Sequence, residues 1–415
     1  MEIDDHLFRR ESGRMVAALT RIFGVHNLAL AEDVVQDAFC RALEVWKFRG
    51  APENPSAWLM ATAKNRALDV LRRERTARTF APDLGRLVES EWTLAATVEE
   101  MFEPGAIRDE ELRMMFSCCP PRLTESGQIA LILQLVCGFG IAEIAGAFLL
   151  PAETIKKRLQ RSRKVLAASK NLFDIGDARR FSARLAAVQR ALYLLFNEGY
   201  HGASAQSAVR ADLCRDAMRL VTMLLEHSPS QVPSTYALAA LMSFHAARLP
   251  GRVDESGRLT LLVDQDRSRW DRALIAQGKR LLDLSATGQD VSEYHVEAAI
   301  AFKHVDAPSF EATEWDAIVE LYDRLLAIRP TPVAALSRAI AIAQAEGPER
   351  ALDEIARTVD ATQLAGFPFY PATLGDLELR RGDRATAAAH FRTALEGARN
   401  QMERDFFVQR VSECE

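Results

Sequence analysis

The side chains with most chemistry to offer stand between Pro151 and Lys170, where seven Lys/Arg face one acid, Glu153. Thr154, Lys156, Lys157, Arg158, Gln160, Arg161, Arg163 and Lys164 are suited to phosphates and base edges. Arg and Lys donate to guanine O6 and N7, Gln pairs with adenine, and a hydroxyl or free backbone N–H at a helix start holds a phosphate. A helical repeat through Ile155, Leu159, Ser162 and Leu166 turns Lys156, Lys157, Gln160 and Arg161 outward. A second basic stretch, Thr62 to Phe80, holds six Lys/Arg against two acids, and between the two Pro82 to Glu111 carries nine acids against Arg86 and Arg108. Nucleic acid attracts the flanks and repels the middle, a division hidden by the net charge of -5. For each basic helix a solvated charged face is the alternative.

Apolar residues recur at helical spacing almost throughout, with no alternating run that turns as a hairpin, so the spacing predicts an all-α protein. Helices are expected over about 4–23, 29–46, 55–78, 109–118, 126–137, 142–148 and 152–170. The short helix with Ile141, Ile144, Ala145 and Phe148 inward, the turn Leu149-Leu150-Pro151 and the basic helix after it have the layout of a helix-turn-helix. The loop Lys47 to Ser56 precedes the helix WLMATAKNRALDVLRR, which offers Lys64, Asn65, Arg66, Arg72 and Arg73 to phosphates or bases. Upstream, AEDVVQDAFCRALEVW buries Val34, Val35, Ala38, Ala42 and Val45 and leaves Glu32, Asp33, Gln36, Asp37 and Arg41 outside, a mixed-charge face able to dock a helical partner.

In this order and spacing, AEDVVQDAFCRALEVW, NPSAWLMATAKNRALDVLRR, IAEIAGAF and TIKKRLQRSRKVL resemble the extracytoplasmic-function sigma factors of the sigma-70 family, over residues 10 to 170. The resemblance implies a sigma region 2 domain (1–80), an acidic linker (81–110), a region 4 helix-turn-helix domain (111–175) and an extension (176–415). Its partners would be core RNA polymerase, through the β′ clamp coiled coil and the β flap, and promoter DNA. Asp33, Gln36, Asp37, Phe39 and Arg41 match the polymerase-docking positions. Phe48, Arg49, Asn54, Trp58, Lys64, Asn65, Arg66, Arg72 and Arg73 would capture the unpaired bases and backbone of the -10 element, since aromatic and guanidinium planes stack on single strands. Trp58 has a second reading as core. The basic helix after Pro151 would read the -35 duplex.

The extension reads as paired helices. AALSRAIAIAQAEGPERALDEI and YPATLGDLELRRGDRATAAAHF repeat one layout at about 35 residues, turning at Gly347 and Gly382, and resemble tetratricopeptide repeats. YLLFNEGYHG and LLVDQDRSRWDRALIAQG match the sigma subgroup whose tail is thought to regulate activity. Asn197, Glu198, Tyr200, Asp264, Asp266, Arg267, Arg269 and Trp270 could line a site there for a regulatory protein, peptide or small ligand. In the alternative, Gly199 ends a helix, Asp266 or Ser268 caps one and the charges pair locally. The tail, acidic by five charges, is not expected to bind DNA.

Nothing in the sequence has the spacing of a nucleotide loop, a metalloprotease helix or a nucleophile elbow, so no enzyme, metal or cofactor is expected. No run of eighteen apolar residues or secretory leader is present, which leaves the cytoplasm as the expected compartment. Six cysteines form no CxxC pair; Cys118 and Cys119 are either a redox pair or two small buried residues. The competing function is a polymerase-independent helix-turn-helix regulator with a helical-repeat sensor.

Overall fold

The computed structural model describes residues 5–24, 27–77, 104–168, 178–202 and 207–415. Among them there are helices and no strands, the only extended pairing being an isolated bridge between Val253 and Leu259. The chain divides into two compact units, one of residues 1–144 and 151–191, the other of 145–150 and 192–415.

The first unit is built from α1 (Asp5–Phe23), α2 (Leu28–Arg49), α3 (Pro55–Ala77), α4 (Pro104–Ser117), α5 (Glu125–Leu135), the start of α6 (Ile141–Phe148), α7 (Ala152–Ala167) and the start of α8 (Ala178–His201). α1 packs against α2, α4 and α5, and α7 against α5. The approach of α1 to the end of α5 depends on a missing side chain: a Cβ on Gly13 would lie 2.2 Å from the Val136 carbonyl oxygen. A buried polar knot lies nearby, with Arg14 3.3 Å from Glu11 and 3.8 Å from Glu111 across α1 and α4. Thr124 caps α5 by accepting from the Gly127 N–H. Leu149, after α6, has a left-handed φ of 52°, where the sequence placed a turn.

The second unit continues α8 and adds α9 (Ala211–Glu226), α10 (Pro233–Ala247), α11 (Arg272–Ser285), α12 (Glu293–Asp306), α13 (Trp315–Ile328), α14 (Pro332–Ala345), α15 (Pro348–Thr358), α16 (Phe369–Arg381), α17 (Arg384–Glu396) and α18 (Gln401–Ser412). Successive helices pack in pairs, α10 on α11, α13 on α14, α14 on α15 and α16 on α17. Leu336, Ile342, Ile355 and Leu377 form one apolar core of this stack, and Phe391 and Phe407 belong to the next. Gly382 closes α16 at φ 95°, and Asp383 then opens α17 by accepting from the Thr386 N–H at 3.0 Å.

Three readings change, and the choice left open for Cys118 and Cys119 is decided. α2 runs on to Arg49, so Lys47, Phe48 and Arg49 occupy its last turn and not a loop. α4 begins at Pro104, inside the segment read as a linker; 78–103 lie outside the described residues. Gly199 lies inside α8 and ends nothing; a Cβ there would come 2.8 Å from Arg210 O and Cys214 N, so the glycine lets α9 approach. Cys118 and Cys119 are buried. Burial holds the Cys118 thiol well above its ordinary range and pushes Cys119 up to about 12, outweighing Arg163 and Arg184, which act in the other direction. Neither is a reactive thiolate.

Candidate nucleic-acid interface

On α7 the apolar repeat is realised residue for residue: Ile155, Leu159, Ser162 and Leu166 are buried. Thr154, Lys156, Lys157, Gln160, Arg161 and Lys164 are exposed in consequence. Lys156 has only the weak attention of Glu153 at 3.8 Å, so the outer face is a row of solvated cations able to exchange water for phosphate or base edges. Two expected members differ. Arg158 is half-buried and not free. Arg163 is clasped: its guanidinium engages both carboxylate oxygens of Glu32 on α2, with Nη2 2.7 Å from Oε1, while Nε and Nη2 donate to Gln134 Oε1 at 3.1 and 2.8 Å. Nothing linear announces this partner for Glu32, 131 residues away along the chain.

α2 presents Asp33, Gln36, Asp37 and Arg41 to solvent on one side. Phe39 does not join them. It is 2% exposed and belongs to the core with Val35 and Ala42, so its expected docking role is corrected to a packing one. At the end of the helix Phe48 is 83% exposed, beside exposed Arg49. A phenyl ring held in water has no packing role, whereas stacking on an unpaired base would cover it.

α3 starts where Asn54 Oδ1 accepts from the Ala57 N–H at 3.0 Å, so the oxygen of this candidate base reader is committed to capping. Trp58 is half-buried and meets Trp46 edge-on at 5.5 Å, which favours its reading as core. Leu59, Ala63 and Ala67 are the buried stripe; Lys64 is half-buried, and Asn65 and Arg66 are exposed. Arg66 Nε lies 3.1 Å from Asp37 Oδ2, joining a candidate base reader to a candidate docking residue across α2 and α3. The side chains of Arg72 and Arg73 lie outside the described residues.

The structure sorts the second unit's candidates by burial. Asp264, Asp266 and Arg269 are exposed, and Asp266 caps a single helical turn by accepting from the Ser268 N–H. That bears out the local-capping alternative for Asp266. Glu198, Tyr200 and Trp270 are buried, while Asn197 and Arg267 are half-buried. Arg248 and Arg252, which charge reading along the chain missed, stand with Tyr200, Arg267 and Trp270. Among the described residues no group of three or more His, Cys, Asp or Glu is placed to hold a metal, and no helix is long and apolar enough to cross a membrane.

Residues 7–77, which include the exposed faces of α2 and α3, match the sigma-70 region 2 family. The chain therefore carries a sigma-70 region 2 domain at its N-terminus. Residues 184–286 match a second family, described as a family of unknown function (DUF6596), which covers the candidate cluster of the second unit. Over 390 residues the protein is 35% identical to an uncharacterized protein of Rhizobium meliloti (strain 1021), an alignment that takes in 94% of this chain and 90% of the relative. The two belong to one family, with the likeness running through both units. No solved structure matches the chain.

Proposed function

We propose that this protein is a sigma factor of the extracytoplasmic-function type that binds core RNA polymerase and directs promoter-specific initiation. Residues 1–80 act as region 2, with Asp33, Gln36, Asp37 and Arg41 docking on the clamp coiled coil. Phe48, Arg49, Asn65 and Arg66 hold the unpaired strand of the -10 element. Residues 111–175 act as region 4, with the outer face of α7 in the major groove of the -35 element and the β flap as a further partner. The observation that carries this reading is the exposed row Lys156, Lys157, Gln160 and Arg161 in a chain whose N-terminal domain matches region 2. The helical extension of residues 176–415, tetratricopeptide-like in its hairpins, modulates this activity from the cytoplasm.

The test is reconstituted transcription with sigma-free bacterial core polymerase on genomic fragments, with start sites mapped by sequencing the transcripts. Starts that share two spaced upstream elements, and that vanish with Asp37→Arg or with Lys157→Ala/Arg161→Ala, are expected. Absence of core binding and of starts, with the tail present or removed, would refute the reading and leave a polymerase-independent DNA-binding regulator.

A further inference from the structure

Among its described residues the second unit keeps three arginines together with no carboxylate within 4.0 Å of them. Arg248, just beyond α10, is 7% exposed and lies with Cζ 5.5 Å from the centroid of the Trp270 ring; Arg267 approaches the same ring at 4.6 Å. Arg252 lies 4.6 Å from the ring of Tyr200, which stands 4.9 Å from the ring of His245. The contacts that Arg252 and Arg267 make are to neutral acceptors. Arg252 donates to Tyr200 O and His201 Nδ1, both at 3.0 Å, and Arg267 to His304 O and Ala307 O, both at 2.7 Å. Among the described residues no carboxylate comes within 4.0 Å of any of the three guanidiniums. Glu311 acts on Arg267 only from longer range, and Glu198, although buried on α8, makes its contacts elsewhere than at these three. The four residues 203–206 that follow α8 are Ala, Ser, Ala and Gln and bring no acid.

The surroundings add open donors, beside the neutral acceptor Gln265 Oε1, and no carboxylate within 4.0 Å of the guanidiniums among the described residues. Arg248 Nε, Arg267 Nη2, Trp270 Nε1 and the Tyr200 hydroxyl are buried without a hydrogen-bond partner. Gly251 stands against the indole N–H, where a Cβ would come within 3.0 Å of Nε1. His245 and His304 are held neutral: burial first, then Arg248 with the other nearby cations, pushes each down to about 3. Arginine does not escape by losing its proton. A buried guanidinium without a partner is among the costliest groups a fold can hold, and desolvated donors left open add to it. What this cluster lacks is one anion.

We propose that Arg248, Arg252 and Arg267 form a binding site for a small oxyanion, the phosphate or carboxylate group of a small molecule, with Trp270 Nε1 and the Tyr200 hydroxyl as further donors. Arg248 is the anchor, because its guanidinium is the one with no acceptor of its own. The site lies within the matched family of unknown function and is independent of the promoter reading.

The test uses the full chain, exchanged into chloride and titrated with inorganic phosphate or with citrate, against potassium chloride at equal ionic strength. Isothermal calorimetry and thermal unfolding are read together. Saturable binding of at least one of the two oxyanions is expected, with Tm raised by about 3–6 °C at ten times its Kd; the stronger of the two tells phosphate from carboxylate. Arg248→Gln should weaken binding at least tenfold, and its destabilisation should be larger in the oxyanion than in chloride. Trp270→Phe keeps the packing and should weaken binding about fivefold, so the site stays testable if the first variant folds poorly. Native mass spectrometry of the purified chain reads any anion already carried, and an adduct present in the parent and absent in R248Q supports the site. No adduct together with no saturable effect of either oxyanion beyond chloride would overturn the proposal, as would R248Q and Trp270→Phe binding with the parent's Kd.

Discussion

Glu32→Gln is the substitution with the sharpest consequence for the DNA-binding reading. Glu32 and Arg163 are each about 30% exposed, at 28% and 30%, and meet through two charge-assisted hydrogen bonds across α2 and α7, with Gln134 as a third partner. An exposed pair contributes under about 1 kcal/mol and a hydrogen bond to a charged group about 1.5–3 kcal/mol, so this half-covered bidentate pair should couple by about 1–2 kcal/mol. A double-mutant cycle with Arg163→Gln, read by urea unfolding, measures that coupling directly. The functional side follows from the same number. On the proposed function Arg163 would reach a phosphate only by giving up Glu32, so the pair should weaken duplex binding by its own energy. Removing the acid should raise affinity about 5–30-fold and steepen the salt dependence by about one counterion, measured by fluorescence anisotropy between 50 and 200 mM salt. Glu44→Gln, which removes an exposed charge from the same helix, is the control for loss of one acid. Coupling under about 0.5 kcal/mol, or equal gains from the two substitutions, would refute the reasoning.

Three other predictions rest on single observations. Phe39→Ala should destabilise the first unit by about 3–5 kcal/mol in urea unfolding, as a core deletion does, whereas Asp37→Ala, which removes only an exposed pair with Arg66, should change stability by under about 1 kcal/mol and lower polymerase affinity. Gly13→Ala pushes a Cβ into backbone that has no rotamer to yield, so it should cost at least about 1–3 kcal/mol and open the α1–α5 packing, visible as an increased radius of gyration. Lowering the pH from 7.5 to 5 in chloride should weaken the second unit by about 2 kcal/mol for each of His245 and His304. The sign follows from their depressed pKa: the unfolded chain takes up protons below about 6.5, the folded one only near 3, so stability is lost as pH falls through that window. His245→Phe should remove about half of the slope.

Where burial repeats along a helix, the sequence was a sufficient guide. The stripe on α7 and the outward row it forces were legible because one side of that helix must be dry. So were the turns at Gly347 and Gly382, whose φ of 103° and 95° suit glycine and few other residues. Motif matching places Phe39 beside Asp37, but a linear match does not see that position 39 falls in phase with Val35 and Ala42. The Glu32–Arg163 clasp was out of reach for a different reason: its two members have unremarkable helical settings and meet only through packing.

The same limit explains the second unit, and there it has a chemical consequence. Reading along the chain favours conspicuous charge and so names Asp264, Asp266 and Arg269 beside Tyr200, Arg267 and Trp270; the first three are solvated, and Asp266 is satisfied by Ser268 two residues on. Arg248 and Arg252 sit in the plain stretch AARLPGRVD and offer no pattern. Their importance comes from what folding removes, namely water, and from what it fails to supply, namely a carboxylate. Charge in water is inexpensive and charge in a dry site is not. In this protein the informative cations are therefore of two kinds: those on α7 stand in water, where the proposed DNA contact would use them, and those around Trp270 are buried or half-buried, where the proposed anion would sit.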